Sequence, residues 1–180
     1  MDNQEYKKKL QGFNSTDKYR EEMQKFAEMI DAKAEEVILD IGAGLGTMAD
    51  YIRKTSGATV YAFDVTGEYY DGNKDYFTMN TGFFLEKKLN AVYFMHSFAH
   101  IENADRLVKR IADNFLKPDG RICILTPSFE WVQANRRPDY VPDPTVIKHY
   151  TAEELLEIVD SVGFTDIKIK IGERILLRAE

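Results

Sequence analysis

The chain has 180 residues, of which 44% are hydrophobic, and a formal net charge of −6. This length and composition fit one globular domain with a substantial core, and the acidic balance disfavours a protein that attracts nucleic acid through its overall field. The single cysteine, Cys123, excludes an intrachain disulfide and a cysteine-based metal cluster. A polar N-terminus and the lack of a long apolar run predict a cytoplasmic protein without a membrane span.

The first 35 residues are predicted to form a helical lid or cap. Residues 1–14 are polar and weakly patterned, which predicts either partial disorder or a lid. From residue 15 onward, apolar side chains at three- and four-residue steps predict a helix; they are Tyr19, Met23, Phe26, Met29 and Ile30. Packing alone explains this stripe, and a second interpretation places Phe13 and Tyr19 over a bound ligand.

Residues 36–46 are the most informative stretch, because a buried strand there ends in an acid and is followed by alternating glycines. The motif consists of Asp40, Gly42, Gly44 and Gly46. Glycine adopts positive φ and has no Cβ to hold a ligand away from the backbone, and the helix that follows offers unpaired N–H groups. The motif predicts a nucleotide-sized crevice, and the alternative is an ordinary tight turn between strand and helix.

A second strand, residues 59–64, also ends in an acid. Asp64 lies 22 residues after Gly42. In Rossmann-type domains an acid at about this distance accepts hydrogen bonds from ribose hydroxyls, and a carboxylate can accept from two hydroxyls at once. The two strand-end acids together are more specific than either acid alone.

The pattern D-x-G-x-G-x-G at residues 40–46 resembles motif I of the class I S-adenosylmethionine (SAM) methyltransferases. Residues 90–101 resemble motif IV of the small-molecule members of that superfamily, and the run L-K-P-D-G-R at residues 116–121 is a further resemblance. A helix, Gly-Phe and two strands joined by a short turn match the usual end of its sheet. The resemblance covers about residues 36–178 and is weakest at residues 66–89.

The resemblance implies a single Rossmann-like α/β domain at residues 36–180. Its sheet would be mostly parallel, with order 3-2-1-4-5-7-6, an antiparallel strand 7 and helices on both faces. Because only a short segment separates strands 2 and 4, the strand 3 edge is expected to be reduced. The cofactor would be SAM, with S-adenosylhomocysteine as its product.

The resemblance also implies a set of cofactor-binding residues. They are Asp40, Gly42, Ala43, Gly44, Gly46, Asp64, Val65, Asn80, Thr81 and Met95. Asp40 would lie near the α-ammonium of SAM, Asp64 near its ribose, and Met95 near its sulfonium. Where the family often ends strand 3 with Gly-Asp-Ala, this chain has Met-Asn-Thr, so the contact of Asn80 with adenine departs from the family pattern.

Residues 127–150 form the longest irregular stretch, and their place after strand 5 predicts a lid or acceptor loop. Methyl transfer needs a base only when the acceptor carries a proton at neutral pH, and histidine suits that role. His96, just past strand 4, and His149 are the catalytic candidates, whereas His100 is expected to pack at a helix start. The three histidines lack metal-ligand spacing, so no metal site is expected.

The sequence therefore predicts a SAM-dependent methyltransferase that acts on an O, N or C nucleophile of a small molecule. Two alternatives remain open at this level: a protein or nucleic-acid methyltransferase, and a non-catalytic SAM-binding or regulatory protein of the same fold. The acidic charge and the absence of a D/N-P-P-Y/F motif after strand 4 disfavour DNA as the acceptor. A homodimer is compatible with the sequence, and the acceptor itself is not determined by it.

Overall fold

The computed structural model of the chain describes residues 3–79, 88–135 and 143–180. Its helices are α1 (Asn3–Asn14), α2 (Asp17–Ile30), α3 (Thr47–Ser56), α4 (Ala104–Asn114), α5 (Phe129–Ala134) and α6 (Ala152–Asp160). Its strands are β1 (Val37–Ile41), β2 (Thr59–Phe63), β3 (Phe77–Thr78), β4 (Leu89–Met95), β5 (Leu116–Pro127), β6 (Ile167–Ile171) and β7 (Arg174–Ala179).

The strands form one seven-stranded sheet in the order β3-β2-β1-β4-β5-β7-β6. Strands β3, β2, β1, β4 and β5 are parallel, whereas β7 is antiparallel to both β5 and β6. The predicted strand order and the antiparallel seventh strand are therefore confirmed. Since the chain reverses its direction of progress across the sheet between β1 and β4, a ligand crevice is expected at the carboxyl ends of these strands.

Helices cover both faces of the sheet, as predicted. On one face, α2 and α3 bury side chains such as Phe26 and Ile52 against β1, β2 and β4. On the other face, α4 and α6 bury side chains such as Val108 and Leu155 against β4, β5 and β7. The central strands are apolar on both sides because both sides are covered.

A buried ion pair fixes the N-terminal helices to the sheet. Arg121 in β5 and Glu36, just before β1, make two parallel contacts of 2.7 and 2.6 Å. The same guanidinium donates to the carbonyl of Ile30, the last residue of α2. This arrangement holds the end of α2 at the amino ends of the strands, so that the beginning of α2 reaches the opposite, carboxyl edge.

Residues 3–14, for which the sequence left open partial disorder or a lid, form helix α1. Their polar pattern gives little local sign of a helix. Helix α1 is stabilised instead by contacts with segments distant in the chain. Lys7, for example, pairs with Asp71 at 2.6 Å, and Lys9 pairs with Asp143 at 2.9 Å. These partners are 64 and 134 positions apart in the chain, so a local window cannot reveal them.

Strand β5 begins at Leu116, although residues 117–120 have the composition of a turn. Leu89 pairs with Leu116 and Ala91 pairs with Arg121, and the extra residues of β5 between these two pairs form a bulge. The turn-forming residues 117–120 therefore lie inside the strand. A bulge accommodates Pro and Gly in a strand because the local ladder is already interrupted.

Candidate functional site

Asp40 is buried near the carboxyl end of β1, between β2 and β4. Asp40 is 2% exposed, and in the sheet it pairs with Ala62 of β2 and Tyr93 of β4. Burial raises the pKa of Asp40 from 3.8 to about 7, against the effect of the neighbouring Tyr93 hydroxyl, and the charge of Asp64 adds to the rise. A carboxyl group in this setting gains strongly from a cationic partner.

Asp64 follows β2 and lies at the same edge of the sheet as Asp40. Its Oδ2 atom accepts a hydrogen bond of 2.9 Å from the N–H of Gly44. Its Oδ1 atom lies 3.3 Å from the N–H of Thr66, which donates to it. The two strand-end acids therefore flank one glycine loop, as expected from parallel strands that end side by side.

The first and last glycines of the loop make room for the protein's own side chains. Gly42 and Gly46 have φ angles of 77° and 82°. A Cβ atom at Gly42 would overlap the Ser97 side chain, and a Cβ atom at Gly46 would overlap the Tyr70 ring. Both positions need glycine for backbone conformation and for packing, independently of any ligand.

The middle glycine is different, because a Cβ atom there would not overlap a neighbouring side chain. Gly44 also has a positive φ, 53°. A Cβ atom there would meet only a methyl group of Leu10, at 3.8 Å. The backbone around Ala43 and Gly44 is therefore the part of the loop that a ligand can approach closely.

Helix α1 lies across this loop. In addition to the Leu10 contact, the side-chain amide of Asn14 donates to the Thr47 hydroxyl at 3.0 Å, at the start of α3. The ion pair between Lys7 and Asp71 fixes α1 to the segment that follows β2. The helix thus extends from the first turn of α3 to the segment beyond Asp64.

The same helix is also attached to the end of the predicted acceptor loop. Lys9 of α1 pairs with Asp143. Although burial opposes ionisation, hydrogen bonds from the Thr145 hydroxyl and from Lys9 lower the pKa of Asp143 to about 2. The carboxylate is therefore charged throughout the neutral range, and the ion pair between Lys9 and Asp143 persists there.

The other cofactor residues named from the sequence differ in environment. Met95 ends β4 and is 8% exposed, so it lies at the inner side of the crevice edge. Val65 follows Asp64 and is 86% exposed. Asn80 and Thr81 lie outside the described residues.

His96 follows β4 in a left-handed conformation, with φ 59°. Its N–H donates to the carbonyl of Leu125 at 2.8 Å, and its Nε2 atom lies 2.9 Å from Oε2 of Glu22 in α2. The rings of Phe13 and Tyr19 lie 5.7 and 6.4 Å from the imidazole, centroid to centroid. A non-glycine residue in this conformation is strained, and such strain is concentrated at functional sites.

Glu22 connects His96 to the start of β7. Its Oε1 atom lies 3.4 Å from Nε of Arg174, whose guanidinium lies 5.7 Å from the centre of the Trp131 ring. Burial opposes ionisation, but His96, Arg174 and Lys18 lower the pKa of Glu22 overall. Glu22 is therefore a partly buried carboxylate at neutral pH.

The sequence analysis missed Glu22 and Arg174. A signal for Glu22 was present, because it follows Tyr19 by three residues and precedes Phe26 by four, which places it beside the buried stripe of α2. A carboxylate on a buried helix face requires a partner. Arg174 gave no such signal, because alternation in β7 alone does not indicate what its side chain meets.

His149 lies in a different environment from His96. It precedes Tyr150, which forms a bridge with Ser128. Burial lowers the pKa of His149, and the nearby His100 lowers it further. The imidazole of His100 is itself held by the Thr145 hydroxyl at 2.9 Å from Nδ1. The two histidines named from the sequence therefore belong to separate groups of side chains.

Within residues 3–79, 88–135 and 143–180, no cluster of three or more His, Cys, Asp or Glu side chains is arranged to hold a metal ion. The helices in the same ranges are all too short or too polar to cross a bilayer.

A family model described as a methyltransferase domain matches residues 8–169. The match includes most of α1, all of α2 and the sheet as far as β6. A search of curated proteins found no match.

Solved structures of SAM-dependent methyltransferases share this fold. One from Archaeoglobus fulgidus superposes with a TM-score of 0.70 at 17% identity, over 89% of this chain and 92% of that chain. One from Aquifex aeolicus gives a TM-score of 0.64 at 16% identity, over 87% and 88%. Human N-acetylserotonin methyltransferase in complex with SAM gives 0.68 at 17% identity, over 97% of this chain and 54% of that chain.

Proposed function

Because the chain belongs to the methyltransferase-domain family and has the SAM-dependent methyltransferase fold, with SAM as its cofactor, we propose that it transfers the methyl group of SAM to a small-molecule acceptor. One observation carries the proposal. The carboxyl groups of Asp40 and Asp64 flank a glycine loop in which the backbone at Gly44 is not crowded by side chains of the sheet and meets only Leu10 of α1. When bound, SAM supplies a methyl group that is activated by its attachment to a positively charged sulfur atom.

The chemistry of these residues fits SAM. The buried Asp40 carboxyl gains most from a cation, which matches the α-ammonium of the cofactor. The Tyr93 hydroxyl is buried beside Asp40 without an aligned hydrogen-bond partner among the described residues, so its oxygen can accept from the same group. Asp64 accepts from ribose hydroxyls in this proposal, and Gly44 allows close approach of the backbone. Further proposed contacts are Gly42, Ala43, Gly46, Val65, Asn80, Thr81 and Met95.

A small acceptor is favoured by the closed surroundings of His96. The imidazole is covered by Phe13 of the α1 end and by Tyr19 and Glu22 of α2. Its side chain is 18% exposed. A macromolecular acceptor would need this cover to move aside, and the net charge of −6 gives no general attraction for nucleic acid. We propose that His96 and His149 both belong to the acceptor site.

The proposed function predicts that SAM and S-adenosylhomocysteine stabilise the protein, whereas NAD does not. At a ligand concentration of about 100 times Kd, stabilisation of about 2.7 kcal/mol is expected, which is roughly 5–10 °C in Tm for a domain of this size. The Asp64→Ala variant should show a smaller shift at the same SAM concentration. Differential scanning fluorimetry measures both, and an unchanged Tm in millimolar SAM would contradict the proposal. Conversion of SAM to S-adenosylhomocysteine on addition of acceptors separates an enzyme from a non-catalytic SAM-binding protein.

We further propose that α1 is a lid that closes over the cofactor. Bound SAM should then slow amide hydrogen exchange in residues 3–14. Loss of one partly exposed ion pair is worth up to about 1 kcal/mol, so Lys9→Ala should speed this exchange roughly 2- to 5-fold. Lys8→Ala is the matched control, because Lys8 is an exposed neighbour on the same helix. Exchange in α1 that does not respond to saturating SAM would show that α1 is not a lid.

A further inference from the structure

Glu22 is an acid in an otherwise apolar setting. It lies on the buried side of α2, and its side chain is 15% exposed. Holding a carboxylate there costs free energy unless charged partners surround it. Its partners are His96 at 2.9 Å on one oxygen and Arg174 at 3.4 Å on the other. The helix thus places an ionised carboxylate directly against the histidine at the end of β4.

The contact favours one of the two tautomers of His96. Nε2 and the Glu22 oxygen lie 2.9 Å apart without being aligned as a hydrogen bond. A lone pair on Nε2 would face the negative oxygen at this distance, so the form with the hydrogen on Nε2 is electrostatically favoured. In the neutral imidazole, Nδ1 then keeps its lone pair. The rings of Phe13 and Tyr19 lie 5.7 and 6.4 Å from the imidazole, centroid to centroid, and limit the space in which it can turn over.

We propose that Glu22 is a positioning residue that holds His96 as the proton acceptor for methylation of an aromatic hydroxyl. This inference rests on the proposed function. In the reaction, the hydroxyl oxygen of the acceptor forms a bond to the methyl carbon while the carbon–sulfur bond breaks and its electron pair remains on sulfur. The hydroxyl proton passes to Nδ1 of His96, and Glu22 stabilises the imidazolium until the proton leaves to solvent.

The choice of an aromatic hydroxyl follows from two features. A base is useful only for a nucleophile that must lose a proton, which favours a hydroxyl over a tertiary amine. Two partly exposed aromatic rings border the group: Phe13, 38% exposed, near His96, and Trp131, 37% exposed, beside Arg174. Aromatic rings of this kind stack on the ring of a phenol.

The charged and titratable neighbours of His96 come from two elements. Glu22 and Tyr19 lie on α2, and Arg174 of β7 acts on His96 through Glu22. Phe13, at the end of α1, carries no charge. If the His96 imidazole had no contact with an acceptor, Glu22 and His96 would have only a structural role. The tautomer of His96 and its response to a phenol distinguish this structural role from a role in positioning the base.

The test is nitrogen-15 NMR of the histidine side chains in the full chain, where only three histidines occur and His96→Gln assigns the signal. His96 is expected in the Nε2–H form, and Glu22→Ala is expected to give a mixture of the two tautomers. Glu21→Ala is the matched control, because Glu21 is exposed on the same helix and should leave the tautomer unchanged. A wild-type protein in the Nδ1–H form, or a Glu22→Ala variant with an unchanged tautomer, overturns the proposal.

A second measurement uses protein saturated with S-adenosylhomocysteine. Phenol should shift the Nδ1 resonance of His96, whereas anisole, which has no hydroxyl proton to donate, should not. A shift that phenol and anisole produce equally, or no shift with phenol, leaves the pair with a structural role only and overturns the inference. Calorimetry with SAM distinguishes failure of the proposed function from failure of this inference. If the wild type does not bind SAM, the proposed function fails. If it binds SAM but His96 shows neither the expected tautomer nor the expected response to phenol, only this inference fails.

Discussion

The Asp40→Asn variant is expected to bind SAM about 30- to 100-fold more weakly than the wild type and to be more stable than the wild type above pH 7. The loss of affinity corresponds to about 2–3 kcal/mol, which is the range for a hydrogen bond to a charged group in a buried site. The introduced asparagine has nearly the same shape as aspartate but no charge to offer the α-ammonium. Loss of binding and gain of stability have the same cause, the burial of one carboxyl group.

The sign of the stability effect follows from the raised pKa. The carboxyl of Asp40 has a pKa of about 7 in the folded chain, against its ordinary value of 3.8. Between these two pH values the folded chain holds a proton that the unfolded chain has lost, so the free energy of unfolding falls as pH rises from about 4 to 7. Above pH 7 both states are ionised, and the full destabilisation, at most about 4 kcal/mol, is present.

The side-chain amide in Asp40→Asn does not titrate. The free energy of unfolding of the variant should therefore exceed that of the wild type only slightly at pH 4 and by the largest amount at pH 8. Urea denaturation across this range measures the effect, and Asp119→Asn is the control because Asp119 is an exposed acid in β5. SAM affinity of the wild type should fall about tenfold per pH unit below 7, and this dependence should vanish in Asp40→Asn. Equal stability of the two proteins at pH 8, or unchanged SAM affinity, would remove Asp40 from the proposed role.

Alanine substitutions in the glycine loop are expected to separate stability from cofactor binding. Gly42→Ala and Gly46→Ala should lower the free energy of unfolding by about 3 kcal/mol, because the new Cβ overlaps Ser97 or Tyr70 and the positive φ is strained as well. Gly44→Ala should cost only about 1 kcal/mol of stability, since its new Cβ would make an ordinary contact with Leu10 and only the positive φ is strained. The same change should weaken SAM binding at least tenfold, because the methyl group holds the ligand off the backbone.

Urea denaturation and SAM calorimetry on the three variants measure the contrast. The three glycines serve as controls for one another, because each has positive φ and each lies in the same loop. A Gly44→Ala variant with normal SAM affinity would show that the cofactor does not approach the loop there. A Gly44→Ala variant as unstable as the other two would show that the protein has no room for a methyl group at position 44.

The positions of Asp40 and Asp64 were predictable from the sequence. Each acid ends a short apolar or β-branched run, and parallel strands that are neighbours in the sheet end at one edge. The C-terminal helix and the two strands joined by a short turn were also expected from the sequence, and they are α6, which begins at the Thr151 capping box, and the hairpin of β6 and β7. These features depend on spacings of a few residues, and spacing is what a sequence records directly.

The contacts of His96 were not predictable. Glu22 and His96 are 74 positions apart, and Arg174 is a further 78 positions along the chain. Their meeting depends on how α2 crosses the sheet, which the buried pair of Arg121 and Glu36 helps to fix.

The sequence by itself determined the succession of most strands and helices along the chain, the glycine loop and the two acids beside it, because periodicity and turn chemistry act over short distances. The order of the strands in the sheet came from the family resemblance. Only the tertiary structure decided that α1 covers the loop, that Ser97 and Tyr70 fill the space beside two of its glycines, and that a carboxylate of α2 faces His96. The physical reason is that these contacts join segments distant in the chain. Their partners are chosen by the packing of the whole domain, and no local pattern encodes that choice.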